Sequence, residues 1–236
     1  MDQLAARLDH RFRLLTVGSR TALPRQQTLR ATLDWSYNLL SEPERRLFNR
    51  LSVFAGGWRL EAAEAVGAGD GLEPEDVLDL MQRLVKKSLV VAEESDDGSE
   101  RYLLLETLRQ YAYERLTATG ELESIQGRHA SYYLAFVKQT ESLESRPADM
   151  AWHASYFAER DNLRAALRWL IDNNEVEHAV RLGGRLGDIW VWGGFLTEGR
   201  AHLNALFALP EASHTSSDWA QLLWTAGYVE FSPETT

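Results

Sequence analysis

The chain offers few residues whose type and spacing could do chemistry. Its six histidines, His10, His129, His153, His178, His202 and His214, fall into neither an HxxxH nor an HExxH spacing, and no carboxylate cluster completes a metal set. There is no cysteine, which removes thiolate ligation, thiol nucleophiles and disulfides. No GxSxG elbow presents a serine. No GxxxxGK[ST] loop is present to cradle phosphates, since Gly18-Ser19 and Gly56-Gly57 lack the following lysine. Composition and motifs therefore point to a protein that is not an enzyme and that carries no catalytic residue, metal or cofactor of its own. The remaining side chains with recognition chemistry are aromatics and arginines. Trp190, Trp192 and Phe195 form the densest aromatic cluster, with Arg181, Arg185 and Arg200 nearby. Large aromatics at helical spacing fill gaps between stacked helices, and the same residues beside arginines can anchor a partner. Both readings stand at this point.

Charge narrows the partners. The formal net charge of -10 over 236 residues repels phosphate backbones on average. Residues 1 to 30 run against that average, with Arg7, Arg11, Arg13, Arg20, Arg25 and Arg30 opposed only by Asp2 and Asp9. With Phe12 as its one aromatic, this strip reads as a solvated or docking segment in preference to a nucleic-acid contact. No apolar stretch reaches the length of a membrane span and no signal peptide is recognisable, so a cytoplasmic location is expected.

The elements that must position these residues follow from periodicity. Leu29, Leu33, Ser36-Tyr37 and Leu40 recur at helical spacing. Ser41-Glu42-Pro43-Glu44 starts a second helix with an N-cap, a first-turn proline and acids at the positive helix end, running to about Phe54 before Gly56-Gly57. A short helix near Leu60 to Val66 precedes a third from Pro74 to Lys87, carrying Val77, Leu80, Met81, Leu84 and Val85 on one face. The runs Leu89-Val90-Val91 and Tyr102 to Leu105 flank a polar, glycine-containing loop and predict a β-hairpin. Three helices followed by a hairpin is the order of a winged helix. From Thr107 onward the periodicity is helical throughout, with helices expected over about 107–118, 121–142, 150–173, 175–192, 195–208 and 216–230. Asn162 to Leu167 faintly echoes Arg200 to Leu206, and Ala179, Gly183 and Gly187 sit where helices must approach closely. The expected fold is mainly α: a linker or docking segment over 1–28, a winged-helix domain over 29–118, and an incomplete TPR-like α-solenoid over 119–236.

The third predicted helix decides between two uses of a winged helix. Glu73, Glu75, Asp76 and Asp79 lead it, and Arg83, Lys86 and Lys87 come only at its far end. Acids entering a groove repel phosphates on both sides, whereas that polarity suits the helix dipole. Direct DNA reading is therefore not expected; the other use open to such a domain is that of an intramolecular lever.

The segment RLLTVGSRTALPRQQTLRATLDWSYNLLSEPERRLFNRLSVFAGGWRLEAAEAV, Arg13 to Val66, resembles the region that follows the nucleotide-binding domain in bacterial STAND-type, NB-ARC-like ATPase transcriptional regulators. RYLLLETLRQYAYERL, residues 101–116, resembles the same family, and the second half resembles its TPR-like sensor region more loosely. The resemblance implies signal transduction: a regulatory and sensor portion that relays recognition of a protein or small-molecule inducer to an upstream ATPase domain of the parent chain. ATP and ADP would bind in that domain, and the chain would be part of a longer protein. Related NB-ARC proteins place a Met-His-Asp motif at the hairpin-to-helix junction. Here Leu105 stands at the histidine position and Glu106 at the acidic one, and leucine cannot donate to phosphate. The simpler expectation is that Leu104 and Leu105 are core strand residues and that Glu106 caps the next helix. The alternative function is a DNA-binding winged-helix transcription factor with a helical effector domain.

Overall fold

A computed structural model describes residues 24–94, 99–144, 151–210 and 217–232. It is mainly helical, with one two-stranded antiparallel sheet among the described residues. The chain divides into two compact units between Arg45 and Arg46.

The first unit contains helix α1 (Pro24–Asn38) and the start of α2 (Glu42–Arg50). Helix α1 begins at Pro24, five residues before the expected start, because proline at a first helical position lacks only an N–H that has no intrahelical partner. Its C-terminal carbonyls are satisfied from α2: Arg45 donates to Tyr37 O at 3.1 Å and to Asn38 O at 2.8 Å. Ser41 opens α2 with half of a capping box, its N–H donating to Glu44 Oε2 at 2.7 Å. The N-terminal docking segment lies, up to residue 23, outside the described residues.

The second unit continues α2 into a 3-10 turn (Leu51–Val53), then α3 (Leu60–Gly67), α4 (Pro74–Lys86), β1 (Val91–Glu94), β2 (Glu100–Leu103) and α5 (Glu106–Thr119). The hairpin pairs Val91 with Leu103, Ala92 with Tyr102, Glu93 with Arg101 and Glu94 with Glu100. A third, single-residue edge joins it: Trp58 and Tyr102 exchange both backbone bonds at 2.8 Å. Helix–helix–helix–wing with this short edge is the winged-helix arrangement. Its core is the apolar stripe of each helix, Leu47 and Phe48 from α2, Ala63 and Val66 from α3, and Val77, Met81 and Leu84 from α4, all buried. Between α3 and α4, Gly69, Asp70 and Gly71 all have positive φ, so three consecutive residues turn the chain through the left-handed region.

The remaining helices are α6 (Leu122–Glu144), α7 (Ala151–Ala158), α8 (Arg160–Asp172), α9 (Val176–Gly183), α10 (Gly187–Trp192), α11 (Leu196–Phe207) and α12 (Ser217–Phe231). Two expected helices are each broken in two. Residues 150–173 divide at Glu159, and 175–192 divide at Gly184 to Leu186. Helix α6 joins the two parts, packing on α3 of the winged helix and on α8 of the array. Beyond it α8 packs on α9, α9 on α11 and α12, and α11 on α12. Close approach sets the spacing: a Cβ at Gly183 would fall 2.3 Å from Leu206 Cδ1, and one at Gly199 within 2.9 Å of the Trp190 ring and Cβ.

Candidate functional site

The surface through which winged helices usually act is α4. Val77, Leu80, Met81 and Leu84 are buried, which turns Glu75, Asp76, Leu78, Asp79, Gln82, Arg83 and Lys86 to solvent. The exposed face therefore opens on three carboxylates, and the first base, Arg83, is neutralised by Asp79 at 2.5 Å. Net positive charge is confined to the last turn, at Lys86 with Lys87 just after it.

The densest polar chemistry lies instead where the winged helix meets the array. Glu159, at the break between α7 and α8, is buried and accepts from three elements. Arg101 on β2 pairs with its Oε1, while Tyr133 on α6 donates to Oε2 at 2.7 Å and Asn162 on α8 at 2.9 Å. Asn162, almost wholly buried, uses its other capacity on the loop before Trp58. Its Oδ1 accepts from Ala55 N at 2.9 Å and Gly56 N at 3.4 Å, and its Nδ2 donates to Gly57 O at 2.8 Å. Arg101 also donates to Gly57 O at 2.7 Å and to Ala158 O at 3.2 Å. A loop with few secondary-structure bonds of its own is thus satisfied by one amide and one guanidinium.

His129 on α6 sits beside this network, in ring contact with Phe54 at 5.2 Å and Tyr133 at 4.8 Å. Burial lowers its pKa to about 4, against a smaller raising effect from a hydrogen bond with Asn162. Burial and then the neighbouring Glu159 carboxylate hold the Tyr133 hydroxyl well above its usual range, so it stays a donor. A second junction is built on Arg50, which is fully buried. It donates to Gly67 O at 2.8 Å and Gly69 O at 2.7 Å and pairs with Glu121 at 3.1 Å, between α5 and α6. Arg128 on α6 adds an ion pair with Asp70 at 2.6 Å and a bond to Ala68 O. The Arg128 hydrogen bond to the Asp70 carboxylate, and then the charge of Arg128, hold that carboxyl below its ordinary value.

The residues singled out from sequence do not share one role. Leu104 is buried just beyond the strand and Leu105 is 55% exposed, so of the expectation that both are core strand residues only the burial of Leu104 holds. The strand ends at Leu103, and Leu105 is the extended N-cap residue of α5, facing solvent. Glu106 opens α5 without a side-chain cap bond there; its carboxylate accepts from Arg109 at 2.8 and 2.9 Å and from Gln110 at 3.0 Å. Trp190 is 0% exposed and stacks on His202 at 6.0 Å, so it is core material with no atom offered to a partner. Trp192 is 70% exposed. Phe195 is half-buried beneath the Arg164 guanidinium at 4.2 Å. Arg181 pairs with Asp218 at 2.9 Å and Arg200 with Glu230 at 3.5 Å, both tying helices to α12. Arg185 lines a cleft of about 240 Å³ with Asp188, Gln221, Trp224 and Thr225.

Nothing local in the sequence marks Arg101, Asn162 or Glu159, since their partners lie up to 107 residues away. An arginine at a core position of α2, between Leu47 and Leu51, was the one available signal. Among the described residues no helix is long and apolar enough to cross a membrane.

Residues 40–117 match the winged helix-turn-helix domain family. The chain is 44% identical over 207 residues to a Mycobacterium tuberculosis (H37Rv) protein named "Putative HTH-type transcriptional regulator Rv0890c", and equally to a Mycobacterium bovis protein named "Putative HTH-type transcriptional regulator Mb0914c". That alignment covers 86% of this chain but 23% of those proteins, so the chain spans about a quarter of their length. It is also 43% identical over 131 residues to "Uncharacterized protein Rv0894" of M. tuberculosis, covering 55% of this chain and 33% of that one. No solved structure matches. Residues 40–117 are therefore a winged helix-turn-helix domain, in a chain homologous to proteins named as HTH-type transcriptional regulators.

Proposed function

We propose that the chain is a non-catalytic relay module of a transcriptional regulator of the STAND, NB-ARC-like kind. In this reading the helices after α5 are a TPR-like sensor for a protein or small-molecule inducer. The winged helix passes the outcome to an ATPase domain of a longer parent chain, where ATP or ADP binds. The observation that carries the reading is the exposed face of α4. Its leading carboxylates repel a phosphate-lined groove, while β2 and the Ala55 to Gly57 loop of the domain are fixed to Glu159 and α8 by buried polar bonds. A lever needs that rigid attachment, and a DNA reader needs a basic leading face. Leu105 supports a relay that does not itself contact phosphate, since it offers only methyl groups.

A second reading is a winged-helix transcription factor that binds DNA directly. The match of residues 40–117 to the winged helix-turn-helix family and the names of the homologues favour it. Fluorescence anisotropy with duplex DNA at low and moderate salt separates the two. The relay reading expects no measurable affinity from the unaltered chain, and salt-sensitive affinity gained by the triple variant Glu75→Lys, Asp76→Lys, Asp79→Lys. Sequence-selective binding by the unaltered chain would establish the second reading.

A further inference from the structure

The wing itself is weakly built. Both strands are four residues long, β1 is mostly exposed, and Glu94 faces Glu100 across the ladder. An isolated two-stranded hairpin of that size is marginal in water, and like charges directly opposite weaken it further. Its fixings to the rest of the molecule are concentrated on two neighbouring residues of β2. Tyr102 is held through its backbone exchange with Trp58, and Arg101 through Glu159, Ala158 O and Gly57 O.

Those two fixings converge. Gly57 O, one residue before the Trp58 edge, accepts from both Arg101 and Asn162. Glu159 accepts from Arg101 on the wing, Tyr133 on α6 and Asn162 on α8. It also occupies the break between α7 and α8, where a shift of either helix would move its carboxylate. We infer that Glu159 and Arg101 form a latch through which the helical array sets the position of the wing. With the latch closed, β2, the Ala55 to Gly57 loop and α8 move as one body. A displacement at the α7–α8 break withdraws the carboxylate from Arg101 and leaves the wing on Tyr102, through its backbone bridge and buried ring, so that the hairpin loosens while α4 and the array keep their packing. Only the biological use of this latch rests on the relay reading; its existence is tested separately, because wing mobility and binding to an ATPase domain are read by different measurements.

Hydrogen–deuterium exchange by mass spectrometry on the whole chain and on two variants, Arg101→Met and Glu159→Gln, makes that test. Loss of a part-buried, charge-assisted contact predicts exchange faster by about tenfold or more over residues 91–94 and 100–103 in both variants. Residues 74–86 and 196–207 should stay within about twofold of the unaltered chain. Arg101→Lys, which keeps the charge but has a single donor group, should lie between. Unchanged wing exchange in Arg101→Met would overturn the latch. So would a uniform rise over all segments, or outright unfolding of both variants, since either would make the pair a plain stability contact.

Discussion

At the scale of single residues, the junction between winged helix and array is held by groups that cannot be solvated. His129 has the clearest solution consequence. In the unfolded chain its imidazole takes up a proton near the ordinary value of 6.5, whereas in the folded protein burial delays uptake until about 4. Its contribution is fully present above pH 6.5 and is lost as the pH falls through that window, because the unfolded state then binds the extra proton. Urea unfolding followed by circular dichroism should show stability falling between pH 6.5 and 4 by on the order of 3 kcal/mol from this residue. His129→Phe should remove that part of the pH dependence; an unaltered slope would place the cause elsewhere. Neither His129 nor its partners stood out in the sequence, since a lone histidine on a helix with aromatic neighbours carries no spacing signal. Trp190 was the converse case. Its type and neighbours fit either a filler between helices or an anchor for a partner, and the absence of a side chain at Gly199 opens a slot that takes the indole inside.

At the scale of elements, what could be read was what periodicity and caps determine. The order of three helices and a hairpin, the start of α2 at the Ser41 box and the acid-to-base polarity of α4 are local properties, and the structure has them. The helix breaks at Glu159 and at Gly184 to Leu186 were not legible. Hydrophobic periodicity continues across each, and the breaks serve distant partners: Glu159 turns toward Arg101 and Tyr133, and Gly184 O receives Thr225 at 2.6 Å. The single-residue edge at Trp58 was missed for the same reason, as one bridging residue has no alternation to detect. The close packing of α10 on α11 gives an element-level expectation. A Cβ at Gly199 would lie 2.8 to 2.9 Å from Trp190, a rigid and fully buried ring. Gly199→Ala should cost about 1–3 kcal/mol through overpacking, despite alanine's better helix propensity. Thermal unfolding would check it: a lowered Tm fits this packing, and a raised one would mean that the ring moves aside freely.

At the scale of the whole molecule, residues from Arg46 onward form one compact unit in which a winged helix is the first layer of a longer helical stack. The attachment combines the packing of α6 on α3 with directional polar contacts made by Arg50, Arg101, Asn162 and Glu159. Buried polar contacts of this kind fix one relative placement, because any other leaves donors and acceptors unpaired. That is the property a relay requires, and it matches an α4 surface whose charge suits a protein better than a nucleic acid. The central claim, that this winged helix transmits the state of a nucleotide-binding domain, is tested most directly by calorimetry. The chain would be titrated into the ATPase domain proposed for a longer parent protein, expressed separately, with ADP and then with a non-hydrolysable ATP analogue. The account predicts binding whose affinity differs at least tenfold between the two nucleotides. Equal affinity in both states, or no binding in either alongside salt-sensitive DNA binding, would contradict it.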